Sequence, residues 1–354
     1  MIRIKAVTHL GDRFFGKKLD KGAVSLYIVD NSYGEWSQFM EMLKFGILST
    51  SSIAPRFIAA VRAADAGQIL ALSSRTLEKA QEKAQQWQIP RAYGSHMELL
   101  EDADVDIVYI STVNSQHYPW AKAALVHGKH VLCEKPCTTS AAQTRELFSL
   151  AKEKGLFFME AEKMLFLPAV RAVQERIEAG DLGQIYMAEL SHSFSASYNA
   201  WMFDHNVGGG PLLSSGIYAV QLLRWLFGPI ATISGRRSTM ETGVEWQYIL
   251  TGSTESGVLF SAKNSTRAIL DNTARIFGTK GWVELPEYWK ARKAVFHIAG
   301  QEPQTLEFPC EHELVYEAEH VKACLEQRVL TSPVVTEEIS VDGIAALEQV
   351  RNIW

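Results

Sequence analysis

Cysteine is scarce in this chain: four residues among 354, Cys133, Cys137, Cys310 and Cys324, none paired at C-x-x-C spacing. That excludes a disulfide scaffold and suits reduced thiols in a cytoplasmic protein. Long apolar runs are missing too. No stretch approaches the roughly 20 residues a membrane span needs. The opening "MIRIKAVTHLGDRFFGKK" scatters charge where a signal peptide would carry its apolar core. Positive charge is not in excess, with 35 Lys and Arg against 40 Asp and Glu and a net charge of −5. This argues against a nucleic-acid or membrane-surface binder. The ten histidines form no H-E-x-x-H. "EHELVYEAEH" spaces His312 and His320 as a solvated helix face would, so no metal is expected.

What is present is an ordinary globular composition, 47% apolar and 21% charged, over a length that suggests two domains. From Lys44 short apolar strands alternate with amphipathic helices: "KFGILS", then "IAPRFIAAVRAA"; "QILALSS", then "TLEKAQEKAQQW"; "VDIVYIST", then "QHYPWAKAALVHG"; "KHVLCE", then "SAAQTRELFSLAKEKG"; and "LFFMEA". Continuous apolar strands separated by helices specify a doubly wound parallel sheet, a Rossmann-type α/β domain. Ser51 or Ser52 is expected to cap the first helix and Thr76 the second, with Pro55 in a first turn and Gly128 past a helix end.

After about residue 180 the rhythm changes. "GQIYMAELSHSFSA", "ATISGRRSTM", "EWQYILTGS", "SGVLFSAKNS", "TARIFGTKGWVEL" and "KAVFHIAG" read as strands of one large, mainly antiparallel sheet in an α+β domain. Helices over 313–327 and 337–353 close the chain. The expected division is an extension over 1–42, a dinucleotide-binding domain over 43–163 and a substrate and oligomerisation domain over 164–354. Residues upstream of Met42 fit no strand–helix succession. Either Met40 or Met42 is the start, or an N-terminal arm precedes the domain.

The sequence lacks a Gly-x-Gly-x-x-Gly turn where the first strand meets the first helix. "GILSTSSIA" stands there, with Ser49 and Ser51 in place of glycines. Small residues still leave room for a pyrophosphate at a helix N-terminus, which makes Ser49, Thr50, Ser51, Ser52 and Ile53 candidate cofactor contacts. Taken alone, a small-residue turn is equally a plain structural feature. The second strand ends in Ser73, Ser74 and Arg75, without the acidic residue that would bind the ribose of NAD. Ser74 and Arg75 suit a 2′-phosphate, so NADP is expected, with NAD still open.

"GKHVLCEKPCTTS" sets Glu134-Lys135-Pro136 at the end of a strand, after "YISTVNSQH". With "FFMEA" (157–161), "GDLGQI" (180–185) and "GGGPLLSSGIY" (208–218) in order, residues 43–354 resemble the Gfo/Idh/MocA family of nicotinamide oxidoreductases. Within it they most resemble the dihydrodiol dehydrogenase and NADP-dependent D-xylose dehydrogenase group. The resemblance implies hydride transfer at a carbinol or carbonyl carbon of a sugar, polyol or dihydrodiol-like small molecule. It implies Lys135 orienting the substrate oxygen, and Tyr218 as acid/base with its pKa lowered by Lys135. It places Glu134, Thr112, Asn114 and His117 near the cofactor, although a lone His is as readily a packing residue and Tyr218 could be a core tyrosine. It implies a dimer or higher oligomer through the open sheet.

One position departs from the family pattern. Ser214 stands where many relatives carry Asp, and Asp204 and Glu162 are the candidate replacements. That departure keeps a second reading alive, a non-catalytic NADP-binding regulatory protein on the same fold. Trp201 and Phe203 are candidates for an apolar substrate wall, and Glu160 and Glu162 for positions beside the site.

Overall fold

The computed structural model describes residues 42–195 and 201–354. The expected extension, residues 1–42, lies outside them except for Met42. Six strands form the first sheet: β1 (Lys44–Leu48), β2 (Gln68–Ser73), β3 (Arg91–Tyr93), β4 (Ile107–Ile110), β5 (His130–Glu134) and β6 (Phe158–Ala161). Their order is β3-β2-β1-β4-β5-β6, with every pairing parallel. The helices between them are α1 (Ala54–Ala63), α2 (Leu77–Trp87), α3 (His96–Glu101), α4 (His117–Val126) and α5 (Ala141–Lys154); α6 (Pro168–Glu178) follows β6. β4 is buried at all four positions, as a strand covered by helices on both faces must be.

Local chemistry sets most of the helix ends. The Thr76 hydroxyl accepts from the Lys79 N–H at 3.3 Å and begins α2. Ser95 caps α3 through the Glu98 N–H at 3.2 Å, and the Glu98 carboxylate reaches back to the Gly94 N–H at 3.1 Å. Gly128 follows the end of α4 at φ +75°. The expected cap of α1 is not found. That helix starts at Ala54, so Ile53 takes the cap position without a side-chain bond. Ser51 donates its hydroxyl instead to Ser111 Oγ, 2.8 Å away at the end of β4. Pro55 does lie in the first turn.

The second sheet holds β7 (Ile185–Ser193), β8 (Ile230–Thr239), β9 (Glu245–Thr254), β10 (Leu259–Ser265), β11 (Thr273–Gly278), β12 (Gly281–Pro286), β13 (Lys293–Ile298) and β14 (Gln304–Glu307). Its order is β14-β13-β12-β11-β7-β10-β9-β8, antiparallel except for β7 against β10. "TARIFGTKGWVEL", read as one strand, is the hairpin of β11 and β12. α7 (Ile217–Phe227) lies between β7 and β8, and α8 (Val315–Glu326) and α9 (Glu337–Asn352) close the chain. α6 packs on β12 and β13, and α7 and α9 pack on β8. The opposite face leaves Met187, Ile249 and Leu259 exposed.

α8 corrects an expectation. Its stretch of "EHELVYEAEH" is not a solvated face: Glu317 and His320 are buried beside Ala318 and Val321. The apolar residues between the charges turn that stripe into the core, and Glu317 goes with them. Among the described residues no helix is long and apolar enough to cross a membrane.

Candidate active site

Strand order in the first sheet reverses between β1 and β4, the position where open α/β sheets bind ligands beyond their strand ends. A cleft of about 1490 Å³ opens there. Ser49 to Ile53, Ser74, Arg75, Thr112, Asn114, His117, Glu134, Lys135, Trp201, Ser214 and Tyr218 line it, whereas Asp204, Glu160, Glu162 and Phe203 do not; His192, Phe194 and Trp289 of the second domain line it as well.

At one end is the β1–α1 loop. Ser49 adopts φ +105°, a left-handed conformation that favours glycine. Its N–H donates to the Ser73 carbonyl at 3.2 Å, which fixes the turn against β2. The next four N–H groups, Thr50 to Ile53, find no backbone acceptor among the described residues. Unpaired donors at a helix N-terminus, flanked by small side chains, fit the pyrophosphate of a dinucleotide. Beyond β2, Ser74 is buried and Arg75 exposed. Lys79 and His96 line the same end and were not singled out in the sequence. His96 is fixed by Ser73 Oγ at 2.9 Å and stands edge-on to Trp120. Burial, and then Arg75, lower its pKa to about 4, so it is neutral at pH 7.

The other end is built around the cis Lys135–Pro136 peptide after β5. Glu134 Oε1 accepts from the Tyr109 hydroxyl at 2.5 Å, and Tyr109 stacks on Phe57 at 3.7 Å. Lys135 Nζ donates to the Ser214 carbonyl at 2.6 Å and lies 4.4 Å from the centre of the Tyr218 ring. Burial lowers the Lys135 pKa. Tyr218 sits at the start of α7, after a π-helical turn over Leu212–Gly216. Its expected downward shift is not what the structure gives. Burial, then Glu162, Glu134 and Glu317, push the phenol well above its usual value. The Lys135 ammonium lies over the ring and donates to a carbonyl, so it does not pair with the phenolic oxygen.

Ser214 answers its own question in part. Its hydroxyl turns back to the Gly210 carbonyl at 2.9 Å, so this position serves Lys135 with a backbone oxygen. Asp204 is exposed and caps the short turn over His205–Val207, accepting from the Asn206 N–H at 2.9 Å. It does not replace the missing carboxylate. Glu162 is buried beside Lys135 and Lys163, with one oxygen unpartnered. Burial, then Glu160, raises its pKa to about 8, so it is mainly protonated at pH 7. Glu160 is a structural tie. It accepts from the Cys137 N–H at 3.0 Å and from Gln221 Nε2 at 2.6 Å, which joins the Lys135 loop to α7.

His117 lines the cleft, yet both of its ring nitrogens face backbone carbonyls, Pro136 at 2.7 Å and Thr112 at 3.0 Å. It acts as a strut between two loops of the cleft. Asn114 Nδ2 donates to the Gly208 carbonyl at 2.8 Å. Gly208 has φ +72°, and a Cβ there would stand 3.2 Å from Asn114 Cβ. Of the expected aromatic wall, Trp201 is in the cleft, whereas Phe203 is buried in a small cluster with Met240 and Val244.

Several residues here had no signal in the sequence. His192 stacks on Trp289 at 3.7 Å, and burial, with Lys135 and Lys163, lowers its pKa to about 3. Lys163 lies 3.9 Å from Glu313, which also pairs with Arg56 of α1. Glu317 is fully buried with neither carboxyl oxygen partnered, and burial raises its pKa strongly.

The chain is 35% identical over 306 residues to trans-1,2-dihydrobenzene-1,2-diol dehydrogenase of Mus musculus, which covers 83% of this chain and 91% of the relative. Its fold is that of a 3-ketoreductase from Actinomadura kijaniata in complex with NADP and TDP-benzene (TM-score 0.80, 23% identity, 88% of this chain, 98% of that one). It is equally that of a levoglucosan dehydrogenase in complex with NADH and levoglucosan (TM-score 0.81, 18% identity, 88% and 97%). Residues 43–162 match the oxidoreductase family with an NAD-binding Rossmann fold, and residues 170–284 match the GFO/IDH/MocA C-terminal domain. The chain therefore belongs to the Gfo/Idh/MocA family of oxidoreductases, as the Glu-Lys-Pro strand end and the segments around it had suggested.

Proposed function

We propose that this chain is an NADP-preferring oxidoreductase acting on a carbinol or carbonyl carbon of a sugar, polyol or dihydrodiol-like substrate. The observation that carries this reading is the convergence of Lys135 and Tyr218 in one cleft with the unpaired N–H groups of the β1–α1 loop. In the bound state a nicotinamide nucleotide supplies or takes up the hydride. Thr50 to Ile53 would hold its pyrophosphate, and Arg75 with Lys79 its 2′-phosphate. The cleft-side backbone of Thr112 and Asn114 would border the nicotinamide.

The Tyr218 phenol, held neutral by burial, delivers its proton to the substrate oxygen during reduction and recovers it in the reverse direction. Lys135 keeps one N–H on the Ser214 carbonyl and turns its remaining donors to the substrate oxygen, where they stabilise developing negative charge. No anionic base is needed at position 214 for this scheme. The name of the mouse relative supports a diol as one substrate class. The reading divides the chain at residues 163/164 and places a second copy on the exposed Met187, Ile249 and Leu259 face of the second sheet.

Single-turnover reduction under saturating NADPH tests the assignment. Tyr218→Phe should slow hydride transfer by on the order of 10² to 10⁴, with NADPH affinity retained. Wild-type rates in this variant on an accepted carbonyl would remove Tyr218 from the scheme.

A further inference from the structure

Charge is unequally distributed along the cleft. Five basic side chains line it, Arg56, Arg75, Lys79, Lys135 and Lys163, against one carboxylate, Glu134. Arg75 and Lys79 belong to the end formed by β2 and α2, where the proposed cofactor would supply phosphate to them. The other three cluster at the reacting end. Glu313 answers part of their charge, pairing with Arg56 and lying 3.9 Å from Lys163. Glu162 and Glu317 are fully buried near them, and burial raises the pKa of both, that of Glu162 to about 8.

Of the three, Lys163 is the one whose ammonium makes no hydrogen bond among the described residues. Its side chain is 9% exposed, and that exposure is to the cleft. Its distance of 3.9 Å from Glu313 exceeds hydrogen-bond length. Among the described residues it has no hydrogen-bond acceptor, and its ammonium carries three donors. Its nitrogen stands 5.7 Å from the centre of the Tyr218 ring, near the proton-transfer group. A largely buried cation without a close partner is costly unless a ligand supplies the anion. The adjoining wall is flat, formed by His192 stacked at 3.7 Å on Trp289. Buried His192 Nδ1 has no partner, so its proton is better placed on Nε2, where it can be offered to a ligand oxygen.

From this geometry we infer that the substrate carries a carboxylate close to its reacting carbon, bound by Lys163, with the stacked His192–Trp289 pair against the carbon skeleton. The substrate class is that of hydroxy or keto acids, sugar acids included, and Lys163 is the residue that selects it. This inference rests on the oxidoreductase reading of the cleft and narrows its substrate.

Matched pairs test it by binding, independently of turnover: D-glucuronate against D-glucose, and D-xylonate against xylitol. Each is titrated into the full chain saturated with NADPH, with nicotinamide fluorescence as the readout. The acid should bind more tightly than its neutral partner by on the order of tenfold or more, as for a charge-assisted hydrogen bond. That ratio should collapse in Lys163→Met and persist in Lys163→Arg. Equal affinity within both pairs, no binding of any of the four, or a ratio that survives Lys163→Met overturns the inference. If Lys163→Met does not fold, the wild-type ratios decide. The oxidoreductase reading fails separately, through absence of NADPH binding in the first titration. The acid–neutral ratios are then read by thermal shift on the chain alone.

Discussion

The two ends of the cleft are made in different ways. The end proposed for the phosphates is largely local: apart from His96, one loop between β1 and α1, one strand end and the first turn of α2 supply its groups between Ser49 and Lys79. Its donors are mainly backbone N–H groups, and its side chains are small or exposed. The reacting end is assembled from far apart. Lys135 follows β5, Lys163 follows β6, His192 lies on β7, Tyr218 opens α7, and Glu313 and Glu317 come from the α8 region. Its side chains are buried and titratable. Backbone recognition tolerates a change of side chain as long as the turn is kept, which is how Ser49 can hold a glycine's place. A buried cluster of ionisable groups tolerates little, because each member sets the protonation of the others.

Substitutions can break or sharpen that contrast. The largest effect should come from the reacting end. Lys135→Met removes the buried donor proposed to meet the substrate oxygen and should lower kcat by roughly 10² to 10³, measured with NADPH held saturating. At the other end, Arg75→Ala should raise the KM for NADPH by about 10- to 100-fold, as loss of a charge-assisted phosphate contact does. KM for NADH should change little, and a parallel loss for both nucleotides would place Arg75 elsewhere on the cofactor.

A smaller effect concerns stability against pH. The folded-state pKa of Glu162 is raised to about 8, while an unfolded Glu titrates near about 4.3. Between those values the folded chain retains a proton that the unfolded chain has released, so this group's contribution to stability falls as pH rises. Glu162→Gln should flatten the fall of Tm across that window and raise Tm at neutral pH, followed by thermal denaturation from pH 4 to 9. A steeper fall in the variant would contradict the buried, protonated carboxyl. The smallest effect should be Ser51→Ala. The Ser51 hydroxyl donates to Ser111, so its loss should cost about 1 kcal/mol of stability. NADPH affinity should shift by no more than a few fold, by fluorescence titration. A large loss would make the loop a side-chain reader.

The same contrast marks what could be read from the residues alone. Thr76, Gly128 and the apolar strands were legible because caps, turns and periodicity act within a few residues. So was the parallel sheet, whose strands are buried on both faces and need no distant partner to show it. The α1 cap was misjudged because two serines competed for a role that neither took, and only the position of Ser111 shows where the Ser51 hydroxyl went. "EHELVYEAEH" was misjudged for the opposite reason. Its charges suggested solvent, yet tertiary packing set Glu317 facing inward among other carboxyls. Lys163, His192 and Trp289 carried no motif, and nothing short-range marks a cleft wall supplied by another sheet.

The sequence by itself determined the alternation that builds the Rossmann sheet, the small-residue loop, the Ser-Arg strand end and the Glu-Lys-Pro corner, because each follows from local backbone and side-chain geometry. Only the tertiary structure decided that Lys135 meets the Ser214 carbonyl, that the Tyr218 phenol is pushed up in pKa, and that Lys163 stands near its ring without a hydrogen-bond acceptor among the described residues. Those outcomes depend on burial and on charges brought together from distant segments, and neither is defined until the chain has folded.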